Sequence, residues 1–285
     1  MEPGACRSGV IDVGGGMRGI YATGVFDRCL DDGVSFDVAI GISAGSANIC
    51  SYLSRQRGRN IEFYANYSFR PEYMGLRNFL ENGSYIDMDY VYGELSNEGG
   101  EFPVDYDALA ASPTDWRIVA CEADTGETVY FDKSDMSRNH YGILGASSSI
   151  PFVCKPYEVD GSAYFDGALG DTVPLEKAFE MGCTRVVLIL TKPADVAREV
   201  GKDALFAKLI RHRYPEAAKR LEGRADRYNF GVALAKELEK DGLALVVAPD
   251  DTCGVDTLVR DKEALMRLYR KGYDDGAAIR PFLEG

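Results

Sequence analysis

The stretch Phe36-Asp37-Val38-Ala39-Ile40-Gly41-Ile42-Ser43-Ala44-Gly45 reads as a buried strand running straight into a tight turn. Residues 36–42 are an almost continuous apolar run with a single acid, as expected of a strand covered on both faces. Gly41-Ile42-Ser43-Ala44-Gly45 then has the GxSxG form of a nucleophile elbow, in which a serine sits on a sharp strand-to-helix turn. Gly41 and Gly45 leave room for that turn, and residues 45–57 carry the helical pattern that should follow. The pentapeptide by itself is a weak signal, because glycine and serine are common. The strand before it and the helix after it give it weight.

Upstream, residues 8–13 form a short apolar strand that stops at Gly14-Gly15-Gly16-Met17-Arg18-Gly19. Residues 18–31 place apolar side chains at Ile20, Tyr21, Val25 and Leu30, a helical spacing ended by Asp31-Asp32-Gly33. The resulting βαβα order predicts an α/β fold on a parallel sheet. Downstream, strands are expected at 116–121 and 128–131, and a helix over 136–148. Residues 157–159 and 163–165 flank Asp160-Gly161, a strong hairpin signal. A further helix (175–181) and strand (185–190) follow. Beyond about residue 200 the chain is mainly helical, with one strand at 243–248. Residues 69–106 differ in texture, with eight aromatics and no clean period. They read either as an irregular layer over the core or as a cap whose aromatics line an apolar cleft.

A serine hydroxyl is a poor nucleophile until a neighbouring base takes its proton. The hairpin delivers Asp166, and Gly167 behind it permits close approach, although Asp166-Gly167 also suits an ordinary turn. The chain has only two histidines, His140 and His212. His140 precedes Asp166 within the expected helix, against the usual order of serine, acid, histidine. His212 sits in Arg211-His212-Arg213, where neighbouring cations disfavour protonation. The glycine loop can present backbone N–H groups of Gly14, Gly15 and Gly16 to an oxyanion, with Arg18 adding a fixed positive charge. It can equally be a tight turn without a ligand. It also matches the GxGxxG dinucleotide fingerprint through Gly14, Gly16 and Gly19, but the acid expected at the end of the second strand is missing, since Asp37 lies at its beginning.

At 285 residues and 46% hydrophobic, the chain can bury a substantial core. A net charge of −13 excludes a typical nucleic-acid binder and opposes general adsorption to anionic membranes. Residues 208–227 run the other way, with seven Lys or Arg against three acids. They suit a solvated helix face or a transient contact with lipid phosphates at a membrane surface. Seven cysteines without a CxxC pair read as buried hydrophobes in a reducing compartment. The N-terminus lacks a long apolar stretch, and no run approaches membrane-spanning length. A cytoplasmic location is expected.

Four motifs in order, namely the glycine loop 14–19, the elbow 41–45, Ala146-Ser147-Ser148-Ser149-Ile150-Pro151 and Asp166-Gly167-Ala168, resemble the pattern of bacterial patatin-like phospholipases. The resemblance covers roughly residues 8–195. It implies a three-layer α/β/α sandwich with a mainly parallel central sheet, and lipid acyl-hydrolase activity without cofactor or metal. It also implies Ser43 as nucleophile, Asp166 as base, and the backbone of Gly14, Gly15 and Gly16 as oxyanion hole. Residues 196–285 are then a mainly helical C-terminal extension packed on that domain. A lipid-binding scaffold of the same fold without catalysis is the alternative of a different class.

Overall fold

The computed structural model describes residues 7–285. Residues 1–6, with Cys6 and the expectation about the N-terminal segment, lie outside the described residues. Strands β1 (Ser8–Asp12), β2 (Val38–Ile42), β3 (Asp115–Glu122), β4 (Thr128–Phe131), β5 (Tyr157–Val159), β6 (Ser162–Asp166), β7 (Arg185–Ile189) and β8 (Ala244–Val247) form a single sheet. Its order is β5-β6-β3-β2-β1-β7-β8, with β4 also paired to β3. The five strands from β3 across to β8 are parallel to their neighbours. The hairpin β5–β6 and strand β4 run antiparallel to what they pair with.

Helices α1 (Ile20–Asp31), α2 (Ala44–Leu53), α3 (Arg59–Ala65), α4 (Leu76–Asn82), α5 (Tyr106–Ala111), α6 (Gly142–Ser148) and α7 (Gly167–Gly170) belong to the first part of the chain. Helices α8 (Leu175–Glu180), α9 (Gly201–Ile210), α10 (Pro215–Glu222), α11 (Arg224–Lys240), α12 (Lys262–Asp275) and α13 (Ile279–Glu284) follow. Because side chains alternate along a strand, each parallel strand feeds two cores. Val10, Ala39, Trp116, Val187 and Ile189 pack with α1, α2 and α12 on one face. Ile11, Ile40, Val119, Val186 and Leu188 pack with α8 and α11 on the other. The result is the expected α/β/α sandwich.

The chain beyond residue 196 re-enters this sheet as β8, parallel to β7. Its helix α12 lies tightly on α1, where Gly24 leaves room for the partner backbone: a Cβ there would stand 2.6 Å from the Tyr273 nitrogen. The turn at Asp160 and Gly161 has φ of 49° and 83°, the two positive values that a two-residue hairpin turn requires. The helix expected over 136–148 begins only at Gly142. A turn closed by Ser137 and His140, with Asn139 at φ 65°, replaces its first part. The helix expected over 45–57 stops at Leu53, before Arg55 at φ 54°. Residues 69–106 are largely irregular apart from α4 and a short helical turn at Tyr90–Glu94. Tyr73 and Tyr92 face inward, whereas Phe69 and Phe79 are about two-fifths exposed. Of the described cysteines, five are buried and Cys253 is half-buried, all as free thiols.

Strand β1 lies between β2 and β7, so the chain leaves β1 toward one side and returns to its other side much later. In open parallel sheets the crevice at such a switch point, beyond the carboxyl ends of the strands, is where ligands bind. The glycine loop and the elbow leave those two strand ends.

Candidate active site

Ser43 follows β2 directly and adopts φ 57°, ψ −133°, a conformation that costs a non-glycine residue on the order of 1–3 kcal/mol. Three contacts hold it there. Its N–H donates to Ser147 Oγ at 2.9 Å, Ser147 Oγ shares a 3.0 Å hydrogen bond with Ser46 Oγ, and its carbonyl accepts from the Ser46 N–H. Gly41 and Gly45 are needed for closeness: a Cβ on Gly41 would stand 2.6 Å from Ser46 Cα, and one on Gly45 would overlap the Asp12 carbonyl. The serine side chain is almost wholly buried.

Asp166 ends β6 and caps α7, accepting the Ala168 N–H at 2.8 Å on Oδ1. Its carboxylate lines the same cavity as Ser43. Burial pushes its pKa up, against the opposing pull of the Ser43 hydroxyl, the Ala168 N–H and the guanidiniums of Arg224 and Arg198. A Cβ on Gly167 would overlap the Val119 carbonyl, so only glycine lets α7 start this close to β3. Behind α7, Arg220 donates to the carbonyls of Leu169 and Gly170, and Arg227 also donates to that of Leu169. These two arginines belong to the basic run 208–227. Arg224 pairs with Asp203, Arg211 with Glu222 and Lys219 with Glu216. Most of that run therefore works inside the protein or within local ion pairs.

The glycine loop is pinned at three points. The Gly14 N–H donates to Asp12 Oδ1 at 2.9 Å, the Gly14 carbonyl accepts from Thr191 Oγ1, and the Met17 N–H donates to the Thr257 carbonyl at 3.0 Å. Gly15, at φ 134°, takes a backbone shape that L side chains rarely adopt. The Gly14 amide is thus committed to Asp12. The amides of Gly15 and Gly16, and that of Ala44 just after the serine, have no hydrogen-bond partner among the described residues. Asp12 itself is fully buried, and burial raises its pKa to about 7, opposed by hydrogen bonds from Asn48 and the Gly14 amide. Asn48 Nδ2 donates to Asp12 Oδ2 and to the Gly19 carbonyl, while its Oδ1 accepts from Thr23. Sequence reasoning missed Asp12, Asn48 and Ser147 as site residues. The available signal for Asp12 was an acid ending an otherwise apolar strand.

Arg18 is buried and ties Nη1 to Asp256 (2.5 Å) and Thr257 Oγ1 (3.1 Å), while its Nε has no partner. Burial lowers its pKa most, and Asp256 opposes that. A cavity of about 570 Å³ brings together Gly14, Gly15, Gly16, Arg18, Ser43 and Asp166. A smaller apolar cavity of about 70 Å³ also reaches Ser43, with Phe63, Tyr64, Tyr73, Met74 and Tyr92 in its walls. Gly19 lies under this region, where a Cβ would overlap Tyr64 Oη. His140 and His212 are exposed, and neither lines a cavity with Ser43. Among the described residues, no three His, Cys, Asp or Glu side chains converge as metal ligands would.

A family model described as patatin-like phospholipase matches residues 13–179, and a second, described as a domain of unknown function (DUF6363), matches residues 214–282. The uncharacterized protein YjjU of Escherichia coli (strain K12) is 28% identical over 200 residues, covering 68% of this chain and 54% of that protein. The chain thus spans about half the length of this curated relative. VipD from Legionella pneumophila superposes with a TM-score of 0.54 at 12% identity, over 98% of this chain and 67% of that one, a likeness of fold.

Proposed function

Because the chain belongs to the patatin-like phospholipase family, we propose that it is a serine lipid acyl hydrolase working through a Ser43–Asp166 dyad. The observation that carries this reading is the single cavity that brings Ser43 together with a buried carboxylate, that of Asp166, whose pKa burial raises. A carboxylate is a weaker base than imidazole, and burial brings its basicity closer to what proton abstraction needs. In this mechanism Ser43 Oγ attacks the ester carbonyl as its proton passes to Asp166. The amides of Gly15 and Gly16, joined by that of Ala44, receive the negative charge that develops on the carbonyl oxygen. Gly14 shapes the loop, since its own N–H serves Asp12.

Collapse of the tetrahedral intermediate breaks the ester C–O bond, and Asp166 returns the proton to the departing alcohol. Water then attacks the acyl-serine, Asp166 accepts its proton, and that proton passes to Ser43 Oγ as the fatty acid leaves. The apolar cavity beside Ser43 suits an acyl chain. Val196 and Val259 are exposed at the rim of the larger cavity, which suits transient contact with a lipid surface. No helix among the described residues is long and apolar enough to cross a membrane. Free, buried cysteines fit work in a reducing cytoplasm.

The test is labelling with a fluorophosphonate probe, which phosphonylates activated serines. Wild type should label at Ser43 and Ser43→Ala should not, and only wild type should release fatty acid from lipid micelles. A folded wild type that neither labels nor hydrolyses any ester of a lipid panel is instead a lipid-binding scaffold.

A further inference from the structure

Ser43 stands where two compartments meet. Gly16, Ser43, Ile150 and Thr257 line both cavities, one apolar and the other lined by five cations and four carboxylates. Arg18, Lys192, Arg198, Lys202 and Arg224 all line the larger one. In a chain of net charge −13 even this small local excess of cations departs from the average. The carboxylates are one fewer than the cations, and the two that make ion pairs are taken by arginines. Asp203 bridges two guanidiniums at once, those of Arg198 and Arg224, and Asp256 is taken by Arg18. Glu199 is exposed, and Asp166 faces Ser43.

Lys192 is half-buried in this compartment and makes no hydrogen bond or ion pair among the described residues. Its pKa is lowered first by burial and then by Arg18 and Arg198, with Asp256 and Asp203 opposing. Such a half-buried ammonium without a direct partner is suited to accept an anion. A second, independent observation points the same way: Arg18 is about nine-tenths buried, yet its Nε finds no partner. The guanidinium lies against Gly15, within 3.6 Å of where a Cβ would stand on that residue. Donors of Lys192 and Arg18 without partners therefore belong to residues lining the larger cavity, which Ser43 shares with the apolar one.

We infer that the cationic compartment is a phosphate site, centred on Lys192 with Arg198 and Arg18, which holds the headgroup phosphate of an anionic glycerophospholipid while its acyl chain enters the apolar cavity. The inference rests on the acyl-hydrolase reading for its orientation. Lys192, Arg198 and Arg224 lie beyond the residues 13–179 matched by the family model, so this specificity belongs to the chain's C-terminal part. Guanidinium forks and an ammonium are suited to phosphate oxygens. A zwitterionic headgroup would bring a second cation into a compartment whose carboxylates already carry arginines.

The experiment measures binding in Ser43→Ala protein, where turnover is blocked, by calorimetry with two short-chain lipids of equal acyl length, dihexanoyl phosphatidic acid and dihexanoyl phosphatidylcholine. The anionic lipid should bind about tenfold or more tightly, the scale of one charge-assisted hydrogen bond. Adding Lys192→Met should remove that preference, and Lys192→Arg should restore most of it, with melting curves confirming the fold of each. Equal affinities, or a preference untouched by Lys192→Met, overturn the inference. Competition by inorganic phosphate without any discrimination between the two lipids also overturns it, by assigning the site to a free anion. Fluorophosphonate labelling of the Ser43 protein reports separately on the acyl-hydrolase reading, so either can fail without the other.

Discussion

Ser147 Oγ accepts the Ser43 backbone N–H at 2.9 Å from 104 positions further along the chain. A residue held at positive φ needs its neighbours to fix it, and this hydroxyl fixes the nucleophile from a different helix. Ser147→Ala should leave a buried N–H without an acceptor, costing about 1–3 kcal/mol of stability. Turnover should fall as well, because Ser43 loses part of its positioning. Urea melts and single-turnover acylation measured on the same variant check both effects. Unchanged stability with unchanged acylation would mean the elbow holds its shape without Ser147.

Ser43 and Asp166 act as one unit in the proposed mechanism, so their removal should not be additive. Ser43→Ala and Asp166→Asn are each expected to abolish hydrolysis of a soluble ester, and the double variant should be scarcely worse than either. Asp166→Asn keeps an acceptor for the Ala168 N–H, so its fold should survive. Near-normal turnover in that variant would remove Asp166 from the chemistry.

Asp166 must be ionised to take a proton, and burial raises its pKa. Activity should therefore fall as pH drops through an apparent pKa above the ordinary carboxylate range of about 4. Both histidines are exposed and away from Ser43, so the His140→Ala, His212→Ala double variant should keep most of its turnover and the same acid limb. A folded double variant inactive by several orders of magnitude would restore a histidine base.

Asp12 offers a stability measurement with a defined sign. Its pKa rises from 3.8 to about 7 on folding, so between those values the folded chain binds more protons than the unfolded one. Stability then declines as pH rises through that window, at up to roughly 1.4 kcal/mol per pH unit. Asp12→Asn should flatten the decline measured by urea unfolding at pH 5 and pH 8. The variant should also hydrolyse more slowly, since an amide nitrogen would face the Asn48 Nδ2 donor and disturb the glycine loop. An unaltered pH slope would show that Asp12 stays ionised in the folded protein.

The parts of the site that sequence reveals are those built from neighbouring residues. Strand β2, its serine turn and the Asp160-Gly161 hairpin each announce themselves within ten residues, because periodicity and positive-φ requirements are local. The sandwich follows from that order of elements. What stays hidden depends on contacts across the fold. Asp12 looked like the end of a strand, and its role exists only because Gly14 and Asn48 converge on it. Arg220 and Arg227 looked like solvated charge, and they turn inward because α7 presents open carbonyls. His140 lies in a turn instead of a helix because Asn139 takes a left-handed conformation that a local pattern of polar residues does not announce. The oxyanion expectation for the three glycines likewise could not foresee that the Gly14 amide is occupied.

The pins on the glycine loop come from far along the chain: Thr191 holds the Gly14 carbonyl and Thr257 holds the Met17 amide. During synthesis the loop is made early and its clasps late. At 5–20 residues per second, roughly 10–50 s separate the emergence of the loop from that of Thr257. Strand β1 also waits for β7 before its second edge is covered. A nascent chain therefore carries the serine turn well before the contacts that fix the glycine loop exist, and the cavity the two share is among the last features of the fold to take shape.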